Sequence, residues 1–212
     1  MLANAAVFVG TGYLLLRTAD DPVRAGLLWS VNPLLISVLV VGGHLDTLVA
    51  GLAVSAIHLA RSSTRWHHDL TVGGLIGLAC GVMVSAGLLG VGLAWPLLRS
   101  GAWRPADRQA CAAALTLAAL YGVCGTHALA PLSVASRLVS APSLSAVFDQ
   151  FGTAVLGPHA TAAIVSVLGP VVMLALAWAL RRRAAPDAPS IIALPFALAF
   201  AWVLAAPWSM PW

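Results

Sequence analysis

The sequence predicts an all-α fold, a multi-pass transmembrane helical bundle of about six to eight membrane segments. Composition and segment length predict it. Of 212 residues, 60% are hydrophobic and 8% charged, whereas soluble domains carry about 25% charged residues. Apolar runs of about 18 residues or more recur along the chain, long enough to cross a bilayer as helices. Helices are the default because lipid cannot satisfy open backbone groups.

Taken in order, the apolar segments fall near residues 2–16, 25–43, 47–60, 70–98, 109–130, 155–180 and 190–207. The first, "MLANAAVFVGTGYLLLR", has no basic leader and no cleavage site before a soluble domain, so it reads as a short span and not a signal peptide. In the second, Asn32-Pro33 interrupts the run. Proline removes a backbone donor there and kinks the helix, while the Asn amide is able to bond a neighbouring helix.

Every basic residue is an arginine, and all but Arg137 lie in four connections: Arg17/Arg24, Arg61/Arg65, Arg99/Arg104/Arg108 and Arg181–Arg183. Placing all four in the cytoplasm satisfies the positive-inside rule. Residues 70–98 then have both flanks on one side. The stretch must turn back near Val84–Gly87, as two short helices or a re-entrant hairpin; a single tilted span that breaks the charge rule is the competing arrangement. The glycines of "LTVGGLIGLACGVMVSAG" suit close helix packing in either case. Residues 131–154, rich in Ser and Pro, read as a partly helical extracytoplasmic loop. Trp208 and Trp212 suit an interfacial aromatic belt.

The net charge of +4 does not point to nucleic acid, because no basic stripe interleaves with aromatics. Cys80, Cys111 and Cys124 sit inside apolar runs without metal or redox spacing. No HExxH, Walker loop or GxGxxG occurs. Ser85 and His127 form at most a remote Ser–His dyad, with a helix order unlike that of intramembrane serine proteases.

What remains is a sparse polar set on the outer face. His44 and Asp46 occupy the turn between the second and third spans, and His127, Arg137 and Asp149 fall at the same membrane level. Arg binds phosphate through charge-assisted hydrogen bonds, Asp accepts a hydroxyl proton, and His orients or assists. An anionic lipid-linked substrate would use such a set. A plain helix cap explains His44-x-Asp46 as well, and an interfacial side chain explains Arg137. No cofactor is called for, and the His-x-Asp pair alone specifies no metal. His58, His67 and His68 read as solvated border residues, and His159 as a cap.

The segment "LLWSVNPLLISVLVVGGHLDTLVAGLAV" resembles the W-x-x-N-P-L-L…G-x-H-x-D element of actinobacterial polyprenol-phosphate-mannose-dependent α-(1→6)-mannosyltransferases, members of the GT-C superfamily. "GLIGLACGVMVSAGLLGVGLAWPLLR", "GTHALAPLSVASRLVSAPS" and "LAAPWSMPW" follow in the same order. The resemblance implies a membrane glycosyltransferase of the cell membrane. It would move a mannosyl or hexosyl unit from a polyprenyl-phosphate donor to a cell-envelope glycan or glycolipid on the extracytoplasmic side. By motif match, Asn32, His44 and Asp46 fall on the N-P and H-x-D elements, with His44 and Asp46 assigned to catalysis. His127 and Arg137 fall on the "HAL…SR" loop and, with Asn32, are assigned to substrate binding. The family's early spans and first acidic loop have no counterpart here, and Met83 stands where relatives often carry Lys. Residues 1–212 therefore read as one membrane domain, the middle and C-terminal part of a longer protein. A multi-pass transporter and a non-catalytic membrane subunit are the alternatives.

Overall fold

A computed structural model of the chain describes residues 2–42, 44–62, 65–125, 144–183 and 190–205. Among them the fold is all-α, with no strand. Ten α-helices follow in order: α1 Leu2–Thr18, α2 Pro22–Trp29, α3 Pro33–Val41, α4 Asp46–Ser62, α5 Trp66–Val82, α6 Gly87–Arg99, α7 Trp103–Cys124, α8 Leu144–Leu156, α9 Pro158–Arg183 and α10 Ser190–Ala205. After its first turn, α3 widens into a π-helix over Ile36–Val41. The chain divides into two compact units, Met1–Leu120 and Tyr121–Trp212.

In the first unit α1 is the central strut. It packs antiparallel to α2: the Phe8 and Trp29 rings stack at 5.1 Å, and Trp29 Nε1 donates to the Phe8 carbonyl at 3.0 Å. Pro22 at the first turn and Asp21, whose carboxylate accepts from Arg24 N, start α2. On another side α1 runs parallel to α4, where a Cβ added at Gly51 would lie 2.7 Å from Val7 Cγ1 and 3.0 Å from Thr11 Oγ1. A short connection then turns α4 back into α5, as expected of antiparallel neighbours.

The glycines of α5 set the next contact. A Cβ at Gly73 would run into the Gln109 carbonyl, one at Gly77 would lie 2.7 Å from the Ala113 carbonyl, and one at Gly81 2.6 Å from Leu120 Cδ1. This small-xxx-small ladder lets α5 and α7 lie backbone to backbone and parallel, the close approach that small residues permit in lipid. The chain between them turns back as the charge pattern requires. Helix α5 ends at Val82, Met83 is extended and Val84–Ala86 form one 3-10 turn. Helix α6 then returns, bringing Gly90 against Ile76, where a Cβ would lie 3.1 Å from Ile76 Cγ2.

In the second unit, α8, α9 and α10 pack on one another around Val165, Met173, Ala177, Ala197, Leu198 and Ala201. Gly157, at φ +81°, makes the tight reversal between α8 and α9, a left-handed conformation open to glycine. Residues 144–154 of the stretch expected as a partly helical loop are helical, and 126–143 lie outside the described residues.

The number of spans needs correction. By length and apolar character one described helix is able to cross a bilayer, Pro158–Leu180 within α9. A second is added if the pair Pro22–Trp29 and Pro33–Val41, bent by 45°, counts as one span. Six to eight were expected. The physical reason is length: α1, α4 and α5 have 17 residues each, about 25 Å at 1.5 Å per residue, against a hydrocarbon thickness of about 30 Å. Helix α6 has 13 residues and α10 has 16, while the opening turns of α7 carry Arg104, Asp107 and Arg108. The surface is nevertheless strongly apolar: Val9, Val23, Leu27, Leu28, Leu34 and Leu115 are all exposed, more than singly scattered surface residues would give.

Candidate functional site

The helix directions fix two ends in the first unit. Helices α1, α4 and α6 run one way, and α2, α5 and α7 run the other. One end therefore collects Arg17, Arg24, Arg61, Arg65, Arg99, Arg104 and Arg108. Trp66 and Trp103, both exposed, start α5 and α7 at that same end. The opposite end holds Asn4, Gly42, His44–Asp46 and the break at Met83.

Arg108 and Asp69 form an ion pair at the arginine end, Nη1 to Oδ2 3.1 Å, with side-chain exposures of 40% and 10%. The pair ties α7 to α5 just beyond the glycine ladder. Beside it Gln109 is buried, and among the described residues neither its Oε1 nor Nδ1 of His68 has a hydrogen-bond partner. No set of three His, Cys, Asp or Glu able to hold a metal occurs among the described residues.

His44 and Asp46 stand at the other end. Asp46 opens α4, where its charge complements the partial positive charge of the helix start. His44 is half-buried, folded back toward α3: a Cβ at Gly42 would lie 2.8 Å from His44 Cδ2 and 2.6 Å from the Val38 carbonyl. The bare glycine makes room for the imidazole.

Two side chains from outside the turn hold it. Asn4 Nδ2 donates to the His44 carbonyl at 2.9 Å and to the Leu39 carbonyl at 3.2 Å. Thr47, 0% exposed, donates its Oγ1 proton to the same Leu39 carbonyl at 2.7 Å. The π-helix ends there, with Gly42 N donating five residues back to Ser37 O at 2.9 Å. The Leu39 carbonyl near that end takes side-chain donors from α1 and α4.

Asn32 does not join this group. Its Oδ1 accepts from Leu34 N at 3.0 Å and Leu35 N at 3.4 Å, capping α3 at the bend. Nine helical residues separate it from Gly42, on the order of 10 Å along the axis. The structure thus brings His44 and Asp46 onto one turn and leaves Asn32 part-way along the unit. His127 and Arg137 lie outside the described residues. Sequence reading missed Asn4 and Thr47; a lone Asn in the first apolar run was the available signal, since an amide there must find partners.

No protein-family model matches the chain, and neither the curated proteins nor the solved structures offer a match. What the described residues define is an all-α fold whose first unit has an arginine-rich end and a His-Asp end.

Proposed function

We propose that the chain is a multi-pass membrane glycosyltransferase of the GT-C type. It moves a mannosyl or related hexosyl unit from a polyprenyl-phosphate donor to a cell-envelope glycan or glycolipid outside the cell membrane. The observation that carries this reading is the two-ended first unit: arginines and exposed tryptophans at one end, and the His44–Asp46 turn at the other. That arrangement matches positive-inside orientation with the polar turn on the extracytoplasmic face. The exposed apolar faces of α1, α2 and α3 support burial in lipid.

Within this reading, Asp46 accepts a proton from the acceptor hydroxyl and His44 orients the sugar or acceptor, while the resemblance alone assigns Arg137 to the donor phosphate. The resemblance of the N-P and H-x-D elements to mannosyltransferases supports the substrate class. Full-length protein carrying Asp46→Asn or Arg137→Ala, assayed for sugar transfer from polyprenyl-phosphate mannose, tests it. A fall in rate of about 100-fold is expected for Asp46→Asn if it serves as base. Unchanged rates in both variants would remove these residues from the chemistry. Solute uptake into proteoliposomes without sugar transfer would replace the reading with a transporter.

A further inference from the structure

The two side chains that hold the His44 carbonyl and the Leu39 carbonyl have no part in the chemistry above, and they come from different helices. Asn4 lies on α1, remote in sequence, and Thr47 on α4. Together they supply three hydrogen bonds to two carbonyls, at 2.9, 3.2 and 2.7 Å. Both accepting lone pairs of Leu39 O are thereby used, one by an amide and one by a hydroxyl. An amide nitrogen carries two protons, so the single Asn4 side chain is able to hold both carbonyls at once.

We propose that Asn4 and Thr47 are positioning residues, a clamp that fixes the π-helical end of α3 to the start of α4 and so sets where His44 and Asp46 point. The inference rests on the transferase reading for the use made of His44 and Asp46, but the clamp itself is measured separately. A π-helical segment leaves irregular backbone at its end, and such segments occur often at functional sites. Here the irregularity is resolved by side chains and not by continued helix. Without the clamp, the Leu39 carbonyl would lose both of these side-chain donors and the His44 carbonyl one, and the turn would move to recover hydrogen bonds.

The test uses full-length protein in phosphatidylethanolamine–phosphatidylglycerol vesicles. Asn4→Asp keeps the shape and removes both donated protons. Thr47→Val removes the hydroxyl proton with little change of shape, and Thr47→Ser restores it. Diethyl pyrocarbonate modification of His44, read by peptide mass spectrometry, reports the turn. The kcat and KM for polyprenyl-phosphate mannose report the chemistry.

The expected result is a rise of about tenfold in His44 modification for Asn4→Asp and Thr47→Val. A fall in kcat with little change in donor KM should accompany it, with both readouts returning toward wild type in Thr47→Ser. If Asn4→Asp does not fold, the Thr47→Val and Thr47→Ser pair decides. Equal modification rates in wild type and variants overturn the clamp. Faster modification with an unchanged kcat overturns its role in positioning. Absence of transfer by the wild type counts against the transferase reading alone, because the His44 modification rate still decides for or against the clamp.

Discussion

Arg108 reaches across from α7 to Asp69 on α5, Nη1 to Oδ2 3.1 Å, and the two partners are unequally exposed. The asymmetry predicts asymmetric losses. Arg108→Ala leaves a buried carboxylate without its partner, costing about 2–3 kcal/mol. Asp69→Asn leaves a guanidinium that water still reaches, costing about 1 kcal/mol. Thermal unfolding of the single and double variants in detergent checks this. Equal losses from the two single changes would show that exposure does not control the pair.

The glycine ladder predicts strong position dependence along a single helix. Gly77→Ala places a methyl 2.7 Å from the Ala113 carbonyl, so α5 and α7 must separate at a cost of about 1–3 kcal/mol. Gly74→Ala meets nothing nearer than Thr116 Oγ1 at 3.8 Å. It should be neutral or gain a few tenths of a kcal/mol from better helix propensity. Unfolding midpoints that fall alike in the two variants would contradict backbone contact at this seam.

Gly42→Ala should displace His44. The new methyl falls on both the imidazole and the Val38 carbonyl, and neither is free to stay in place. Stability should drop by about 1–3 kcal/mol, and His44 should react faster with diethyl pyrocarbonate. A variant with wild-type reactivity at His44 would mean that the ring does not lie over Gly42.

Sidedness is open to cysteine labelling. With Cys80, Cys111 and Cys124 replaced by alanine, Leu45→Cys should react with a membrane-impermeant maleimide added outside intact cells. Ser100→Cys should react only after permeabilisation. Labelling of both from the same side would end the positive-inside orientation proposed for the first unit.

Some of this organisation is visible in the residues themselves. Like charges at Arg65 and Arg99 require the intervening apolar stretch to turn back, and the chain does so at Met83 with Ile76 against Gly90. Pro33 foretells the bend between α2 and α3. The ladder at Gly73, Gly77 and Gly81 is legible as a packing face, although spacing alone does not say that α7 covers it.

Other features depend on tertiary geometry that spacing cannot express. Asn32 has the composition of an inter-helix hydrogen bonder, yet its side chain is consumed by the two amides next to it. Apolar runs of spanning length break into shorter helices because Ser30–Asn32 and Met83 interrupt them, and hydropathy averages over such breaks. Asn4 shows in the sequence only as a lone amide in an apolar run, with nothing to name its partners. Its importance comes from two carbonyls that the fold delivers to it.

That delivery has a consequence for assembly. The amide of Asn4 and the carbonyl of His44 are 40 residues apart in sequence, whereas α4, α5 and α6 meet as successive neighbours. Closing so long a loop is entropically slower than zipping adjacent hairpins. During synthesis, α1 therefore has to wait for α4 to emerge before the His44 turn is held in its final shape.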